Sequence, residues 1–389
     1  MTTGTAGASA AVRTGSAEQR DILRLNGGRT LRTAPFLVAG ILNVTPDSFS
    51  DGGQWADPVR AVEQARQMLR EGAHILDLGA ESTRPGAADI GPDEERRRLF
   101  PVLERVLAMR TEDGAPSFCL SIDTRRAQTA AGALEAHVRH PGAPPAEMIN
   151  DISGGAYDPA MDEVLATYKP AYVLGHCPVP PEIMRGYACP GDVVDVLLDW
   201  FTTRLTALVK AGLPEECVCL DPCIGFGKSD AQALRILSSL PRFAALGRPL
   251  YIGISRKGLL GAITGLPPDK RDAAAAALSA LLLSRGARIH RTHNVEFCLS
   301  ALKTAGALHT ADEPEEPHSA LKAPAGGACA LRAADKPGPV RDTVPSACGG
   351  SARQAAHGSG RDRETPSSAG LAGRIGAKPG YGPASGDPR

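Results

Sequence analysis

The sequence is short of aromatic residues, of excess charge and of long apolar runs. Aromatic residues make up 4% of the 389 residues, and 43 Lys and Arg balance 43 Asp and Glu. A zero net charge argues against a strongly basic nucleic-acid-binding protein. The longest apolar run, around Ala273–Leu283, is shorter than the ~20 residues that span a bilayer. We therefore expect neither a nucleic-acid nor a membrane partner.

The cysteines and the first residues bear on location. Nine cysteines, an odd number, occur without the regular spacing of a disulfide framework. The first twenty residues lack the apolar core of a secretory signal. Reduced cysteines are typical of the cytosol, so we expect a cytoplasmic protein.

Composition changes sharply near residue 310. Residues 311–389 contain 13 Gly and 10 Pro but only seven bulky apolar residues. So few cannot offset the entropy that is lost when a chain is ordered. We predict a disordered segment over 1–20, one folded domain over 21–310, and a disordered low-complexity tail over 311–389.

Short β-rich runs alternate with helix-period segments inside the folded part. The predicted strands are Phe36–Val44, His74–Gly79, Phe118–Asp123, Met148–Ser153, Ala171–His176, Val218–Pro222, Leu250–Ser255 and Arg288–His293. The predicted helices are Pro58–Glu71, Glu94–Met109, Arg126–Ala136, Pro159–Tyr168, Val193–Ala211, Ala231–Leu240, Arg271–Ser284 and Val295–Ala305. Eight strand–helix repeats favour an α/β fold of the (β/α)8 TIM-barrel type. A doubly wound open sheet also alternates but usually has fewer repeats.

A short segment precedes the first predicted barrel strand. Asn26-Gly27-Gly28 lies in the middle of Ile22–Arg32, and Asn-Gly is a strong hairpin signal. We therefore predict an N-terminal β-hairpin.

Each predicted strand has a hydrogen-bonding or ionisable residue at or near its carboxyl end. In strand order these residues are Asn43, Asp77, Asp123, Asn150, His176, Asp221, Lys257 and Arg291, with His293 close behind. The carboxyl ends of barrel strands carry the chemistry of TIM-barrel enzymes. Two long Gly/Pro/Ser-rich loops, 45–53 and 81–86, would cover the same end of the barrel. The pattern predicts a polar site that closes over an anionic substrate.

An ordered series of motifs identifies a family. The series is 40–53, Asp77 with 81–86, 121–124, 149–151, 221–228, 255–257 and 291–293. It closely resembles dihydropteroate synthase over about 36–305. The resemblance implies a pterin-binding TIM-barrel transferase of folate biosynthesis. Such an enzyme condenses 6-hydroxymethyl-7,8-dihydropterin diphosphate with 4-aminobenzoate, and it forms 7,8-dihydropteroate and diphosphate.

The resemblance also implies the residues that bind the substrates. Those for the pterin are Asp77, Asp123, Asn150, Asp221 and Lys257. Those for the diphosphate are Asn43, Arg84, Arg291 and His293, and Asn43 would also be the protein ligand of a Mg²⁺ cofactor. Carboxylates and amides suit the donor and acceptor edge of a pterin, and guanidinium groups suit phosphate oxygens. We expect Arg291 to contact only the diphosphate.

The resemblance also assigns residues of the loops 45–53 and 81–86 to the 4-aminobenzoate site and to catalysis. Residues that match the 4-aminobenzoate site are Phe49, Thr83, Arg84 and Pro85. Residues implied in catalysis are Asp47, Asp51, Lys257, Arg291 and His293. None of these is an evident covalent nucleophile, which agrees with a mechanism based on positioning and electrostatics.

Four positions depart from the family pattern. Gly175 stands where a Met is usual, Cys223 where a Gly is usual, Gly258 where a Ser is usual, and Asn294 where an Asp is usual. The loss of Met would remove apolar wall from the pterin pocket, whereas Asn294 can still cap a helix. These changes bear on substrate affinity more than on the type of reaction.

Two other functions share this barrel and pocket. A pterin-dependent methyltransferase would not need the anion-binding residues Arg84, Arg291 and His293. A non-catalytic pterin-binding paralogue is the second alternative, because function depends on the site and not on the fold. The family is commonly dimeric, so we expect a homodimer.

Overall fold

Eight parallel strands close into a barrel in the computed structural model, which describes residues 21–45, 58–110, 117–311 and 331–332. Two short strands, β1 (Ile22–Arg24) and β2 (Thr30–Arg32), precede the barrel. The barrel strands are β3 (Leu37–Asn43), β4 (Ile75–Gly79), β5 (Cys119–Asp123), β6 (Met148–Asp151), β7 (Ala171–Gly175), β8 (Val218–Asp221), β9 (Leu250–Gly253) and β10 (Ala287–Thr292). Pairing follows the order of the chain, and β10 closes the ring against β3.

Helices connect consecutive strands on the outside of the barrel. They are α1 (Pro58–Arg70), α2 (Gly91–Met109), α3 (Ala127–Glu135), α4 (Met161–Tyr168), α5 (Val193–Ala211), α6 (Asp230–Ser238), α7 (Leu240–Ala244), α8 (Gly258–Thr264), α9 (Asp272–Leu283) and α10 (Val295–Ala311). Of the helices within the described ranges, none has the length and apolar character needed to cross a membrane.

The predicted barrel is confirmed, and the open-sheet alternative is wrong. Seven of the observed strands are shorter than the predicted ones by up to two residues at an end, and β10 is shifted one residue towards the N-terminus. Helix α5 has the predicted bounds because both ends carry strong signals. The Asp192 side chain accepts from the backbone of Val194, and Gly212 ends the helix at φ 115°. Helices α7 and α8 were not predicted, since five and seven residues are too few to show a period.

The predicted hairpin is also confirmed, and it fills the N-terminal end of the barrel. Leu23, Leu25 and Leu31 are fully buried against inward-facing residues at the beginnings of the strands, such as Ile75 and Met148. Burying each such side chain contributes about 1.5–3 kcal/mol. This end of the barrel is therefore a packed apolar plug, which leaves the opposite end for chemistry.

A buried carboxylate joins the hairpin to the barrel wall. Glu147 is fully buried, and its side chain forms ion pairs with Arg29 of the hairpin and with Arg110, the latter at 2.8 Å. Arg110 also donates to the carbonyl oxygens of Phe118 and Pro145 at 2.9 Å. A buried charge needs such partners.

Part of the C-terminal region pairs with the hairpin. Strand β11 (Leu331–Arg332) is antiparallel to β2. The predicted disordered segment 1–20 and the rest of the predicted tail, 312–330 and 333–389, lie outside the described residues.

Candidate active site

The polar strand ends meet at one rim, as parallel strands require. In the register of the barrel, Asn43 lies beside Gly79, Gly79 beside Asp123, and Asp123 beside Asn150. Successive side chains point to opposite faces of a strand, so Asp77 lies one inward layer below Gly79. Gly79 allows a close approach here, because a Cβ on it would lie 3.1 Å from Cβ of Asp123.

Asp77 is the centre of the hydrogen-bonded cluster at this rim. Its side chain is fully buried, and one carboxylate oxygen accepts from Oγ of Ser121 at 2.6 Å. The other oxygen accepts from Nδ2 of Asn150 at 2.9 Å and from Nε of Arg291 at 2.6 Å. Three donors satisfy a buried carboxylate and fix its orientation.

Arg291 joins two carboxylates. Besides its bond to Asp77, its Nη2 donates to Oδ2 of Asp123 at 2.6 Å. Burial raises the pKa of Asp123, while the charge of Arg291 opposes that shift and Asp77 adds to it. The same two carboxylates raise the pKa of Arg291 despite its burial. The guanidinium group of Arg291 thus contacts two residues of the predicted ring site. That Arg291 contacts only the diphosphate of the substrate stays a prediction.

The opposite wall is formed by β8, the loop after it, and the residues that follow β9. The backbone N–H of Cys223 donates to Oδ1 of Asp221 at 2.7 Å. Nζ of Lys257 donates to the carbonyl oxygen of Ile224 at 2.6 Å and lies 3.9 Å from the ring centroid of Phe226. Burial raises the pKa of Asp221 and lowers that of Lys257, while each group's charge favours ionisation of the other. Opposite charges therefore face each other across this wall.

Lys228 holds this wall in place, and it was not among the predicted site residues. Its buried Nζ donates to the carbonyl oxygens of His176 at 2.7 Å, Phe226 at 2.9 Å and Cys223 at 3.4 Å. Burial lowers the pKa of Lys228 to about 8. The ammonium group ties the end of β7 to the loop after β8. The only sequence feature that could have indicated a role for Lys228 is its position at the end of the motif 221–228.

Gly175 and Cys223, two of the four departures from the family pattern, pack against the same backbone segment. A Cβ on Gly175 would lie 2.6 Å from the carbonyl oxygen of Asp151 and from Cα of Ile152. Sγ of Cys223 lies 3.8 Å from the carbonyl oxygen of Ile152, and Cys223 has a φ of 49°. The end of β6 thus approaches β7 so closely that a side chain at 175 would not fit. The buried side chain at 223 packs against the same segment.

The charges of three arginines act on His293, and the charge of Asp272 opposes them. Burial, followed by the charges of Arg256, Arg291 and Arg84, lowers its pKa to about 3. Nδ1 of His293 is hydrogen-bonded to Oγ of Ser255 at 2.9 Å. The imidazole is therefore neutral and sits in a positive field. This corner of the rim suits an anion.

The other predicted site residues are placed as follows. Asn43 ends β3, and it is partly buried. Thr83, Arg84 and Pro85 lie in the loop after β4. The predicted residues of the first loop lie outside the described residues, and they are Asp47, Phe49 and Asp51. The predicted cap is confirmed at Asn294, whose Oδ1 accepts from the backbone N–H of Phe297 at 3.0 Å.

Known proteins resemble this chain in sequence and have the same barrel fold. The sequence model of a family described as "Pterin binding enzyme" matches residues 39–293. A dihydropteroate synthase from Synechocystis sp. is 38% identical over 272 residues, which cover 70% of this chain and 89% of that protein. The structure of Xanthomonas albilineans dihydropteroate synthase with 4-aminobenzoic acid matches with a TM-score of 0.65 and 35% identity, covering 75% of this chain and 98% of that one. The same enzyme in complex with 7,8-dihydropteroate matches with a TM-score of 0.62 and 34% identity, covering 73% and 98%.

Lys228 gives a test of the wall that it holds. Lys228→Met should weaken binding of a pterin without phosphate by about tenfold or more, because carbonyl oxygens of two loops lose their donor. Calorimetric titration measures the affinity, and Lys270→Met, at a side chain that is 70% exposed, is the control. An unchanged affinity for Lys228→Met would show that the wall does not need the ammonium group.

Proposed function

The chain belongs to the pterin-binding enzymes and, among them, to the dihydropteroate synthases, and from this premise we propose how its rim carries out their reaction. The enzyme is a transferase of folate biosynthesis. It condenses 6-hydroxymethyl-7,8-dihydropterin diphosphate with 4-aminobenzoate to give 7,8-dihydropteroate and diphosphate. The observation that best supports our assignment of roles is the cluster of Asp77, Asn150, Arg291 and Asp123 beside the positive corner at His293.

In the proposed site, the ring of the pterin lies between the two walls. Asp123 and Asp221 accept from the N–H groups of the ring, and Asn150 can both donate and accept. Lys257 donates to a ring acceptor from the opposite side. Asp77 fixes Asn150 and Arg291 from below through its hydrogen bonds. Buried hydrogen-bonding groups of this kind favour a ligand whose donors and acceptors match them, because any other ligand leaves them unpaired.

The diphosphate lies at the positive corner in this proposal. Arg84, Arg291 and His293 are the predicted ligands, and Arg256 adds a further positive charge. Neutral His293 can donate one hydrogen bond to a phosphate oxygen, since its other ring nitrogen is engaged with Ser255. Cations at this place stabilise the negative charge that grows on the leaving group as the bond to the pterin breaks.

We propose Mg²⁺ as the cofactor, with Asn43 as its protein ligand. Among the described residues, no three His, Cys, Asp or Glu side chains converge to hold a metal ion. Mg²⁺ usually keeps waters and binds few protein groups besides substrate phosphates, and a single amide oxygen from Asn43 fits that preference. When bound, the ion would neutralise charge on the leaving diphosphate.

The described site favours a mechanism without a covalent enzyme intermediate. The nearby thiols of Cys177 and Cys223 have pKa values raised by burial, and a thiol is a poor nucleophile compared with a thiolate. Catalysis then rests on holding the arylamine against the pterin carbon from which diphosphate leaves. The relatives described above are dihydropteroate synthases, which favours this reaction over methyl transfer.

The 4-aminobenzoate site is proposed to lie between the first two loops. Thr83, Arg84 and Pro85 would form one side, and Phe49 the other. Asp47 and Asp51 would stabilise positive charge on the pterin after diphosphate leaves. These roles rest on the sequence motif, and a related enzyme from Xanthomonas albilineans binds 4-aminobenzoic acid.

A homodimer is proposed through the last helices. Large apolar side chains are exposed on α8, α9 and α10, where Leu281 is 65% exposed and Leu308 is 68% exposed. Exposed apolar surface of this kind is typical of an interface. Light scattering of the full chain should give twice the chain mass, and Leu281→Glu should shift that mass towards the monomer. A monomeric wild-type protein would contradict this proposal.

A product assay tests the function directly. Purified enzyme with pterin diphosphate and 4-aminobenzoate should form dihydropteroate when Mg²⁺ is present, and chelation should abolish turnover. Enzyme that turns over equally well after chelation would exclude the metal role. Enzyme that binds pterin but forms no product with any divalent metal would instead favour the non-catalytic paralogue.

The bridge made by Arg291 predicts a pH effect on pterin binding. In Arg291→Ala, two buried carboxylates lose their shared cation, so the pKa of Asp123 should rise further above its ordinary value. A protonated Asp123 can no longer accept two ring N–H groups. Binding of a pterin without phosphate should therefore weaken in the variant as pH falls from about 9 to about 6, and more steeply than in the wild type.

Calorimetric titration across that range measures the effect. Asp123→Asn, which cannot ionise at this position, should bind the ring weakly at every pH in the range. If Arg291→Ala binds the phosphate-free pterin as the wild type does at all pH values, then Arg291 serves the diphosphate alone.

A further inference from the structure

We propose that buried ion pairs of Glu81 with Arg125 and Arg126 position the loop 81–90, and thereby the side chains that face 4-aminobenzoate. The inference rests on the proposed function, because it takes Thr83, Arg84 and Pro85 to be the aminobenzoate side of the site. None of the three ion-paired residues belongs to the predicted ligand set.

Glu81 lies between the two arginines. Its carboxylate accepts from Nη1 and Nη2 of Arg126, both at 2.9 Å, and from Nε and Nη2 of Arg125 at 3.1 and 3.3 Å. The side chains of Glu81, Arg125 and Arg126 are only 4%, 2% and 5% exposed. Burial opposes ionisation of Glu81, but the hydrogen bonds from Arg126 and Arg125 keep its pKa below the ordinary value. The carboxylate is therefore charged and held by two forked donors.

The same groups close the loop at its far end. The backbone N–H of Ile90 donates to Oε1 of Glu81 at 3.3 Å, so residues 81 and 90 are joined. Nη2 of Arg126 also donates to Oδ1 of Asp89 at 2.5 Å. Asp89 accepts in addition from the hydroxyl of Tyr157, over whose ring Arg125 lies at 3.9 Å. Both ends of the loop are thus fastened to residues that follow β5 and β6.

The tip of the loop is fastened to the segment after β7. The backbone N–H of Gly86 donates to the carbonyl oxygen of Pro181 at 2.6 Å, and Nε of Arg185 donates to that of Pro85 at 3.2 Å. Arg125 reaches the same segment, because its Nη2 donates to Oε1 of Glu182 at 3.2 Å. Residues 82–84 therefore lie between two anchored positions, Glu81 on one side and Pro85 on the other.

Positioning explains this arrangement better than stability does. Removing two charges from water costs about as much as their attraction returns, so buried ion pairs are an inefficient way to stabilise a fold. A guanidinium fork, however, fixes the direction of a carboxylate. Here it fixes the first residue of a loop whose next residues face a substrate. A misplacement of about 1 Å can cost ~100-fold in rate.

The chain offers a matched control at the other end of the barrel. Arg110 forms an ion pair with Glu147 at 2.8 Å, and these side chains are 4% and 0% exposed. The pair is as buried as the one between Arg126 and Glu81, but it lies beneath the apolar plug. Arg110→Met should lower the temperature of unfolding and leave both Michaelis constants unchanged.

The test is the steady-state kinetics of Arg126→Met, Arg126→Lys and Arg110→Met in the full chain. For Arg126→Met we expect KM for 4-aminobenzoate to rise about 10-fold or more, with KM for the pterin diphosphate and the affinity for a phosphate-free pterin within about twofold. Arg126→Lys keeps the charge but not the fork, and it should recover only part of the loss. Hydrogen exchange of 81–90 should be faster in Arg126→Met than in Arg110→Met.

Two outcomes would overturn the inference. One is an unchanged KM for 4-aminobenzoate in Arg126→Met, and the other is an equal rise in both Michaelis constants. If Arg126→Met does not fold, Asp89→Asn, at a half-exposed partner of Arg126, must show a smaller rise that is again confined to 4-aminobenzoate. Lack of dihydropteroate formation by the wild type would contradict the proposed function, whereas these comparisons between variants address the loop alone.

Discussion

The ion pairs of Arg291 with Asp77 and Asp123 are the constraint on which the rest of the rim depends. Two carboxylates lie in the mouth of a barrel whose other end is a packed apolar plug. Two buried carboxylates at this distance from each other call for a cation between them. Arg291 supplies the charge, and its planar fork sets the direction of both acceptors. Asn150 takes its orientation from the same carboxylate of Asp77.

Small residues make this cluster possible. Gly79 leaves room for Asp123, whose Cβ would lie 3.1 Å from a Cβ at position 79. On the opposite wall, Gly175 allows β6 and β7 to approach, while Cys223 packs against the same backbone. The loss of a Met at 175 is thus accompanied by a side chain at 223. The two departures from the family pattern are best understood together.

The loops of the rim are fastened by buried cations rather than by apolar packing. Lys228 ties the segments after β7 and β8, and Arg125 and Arg126 tie those after β4, β5 and β7. Loops cannot bury much apolar surface, so hydrogen bonds to charged groups, which are stronger than neutral ones, supply their rigidity. Because the proposed ligands lie in or beside these loops, the same cations hold the substrate side of the rim in one geometry.

Local patterns and motifs were enough to predict the class of fold, the position of the polar rim and the family. Alternation of β-rich runs with helical periods is a local property, and the parallel topology then brings every strand end to one rim. The tertiary structure decided which of those polar residues pair. Arg291 is 214 residues from Asp77 in the chain, and its strand β10 neighbours β3 and β9, so it reaches past β3 to β4 and β5. In the sequence, Arg126 is only the first residue of a predicted helix, and Lys228 is only the last residue of a motif. Their roles depend on side-chain reach across the barrel mouth, and no local pattern encodes that distance.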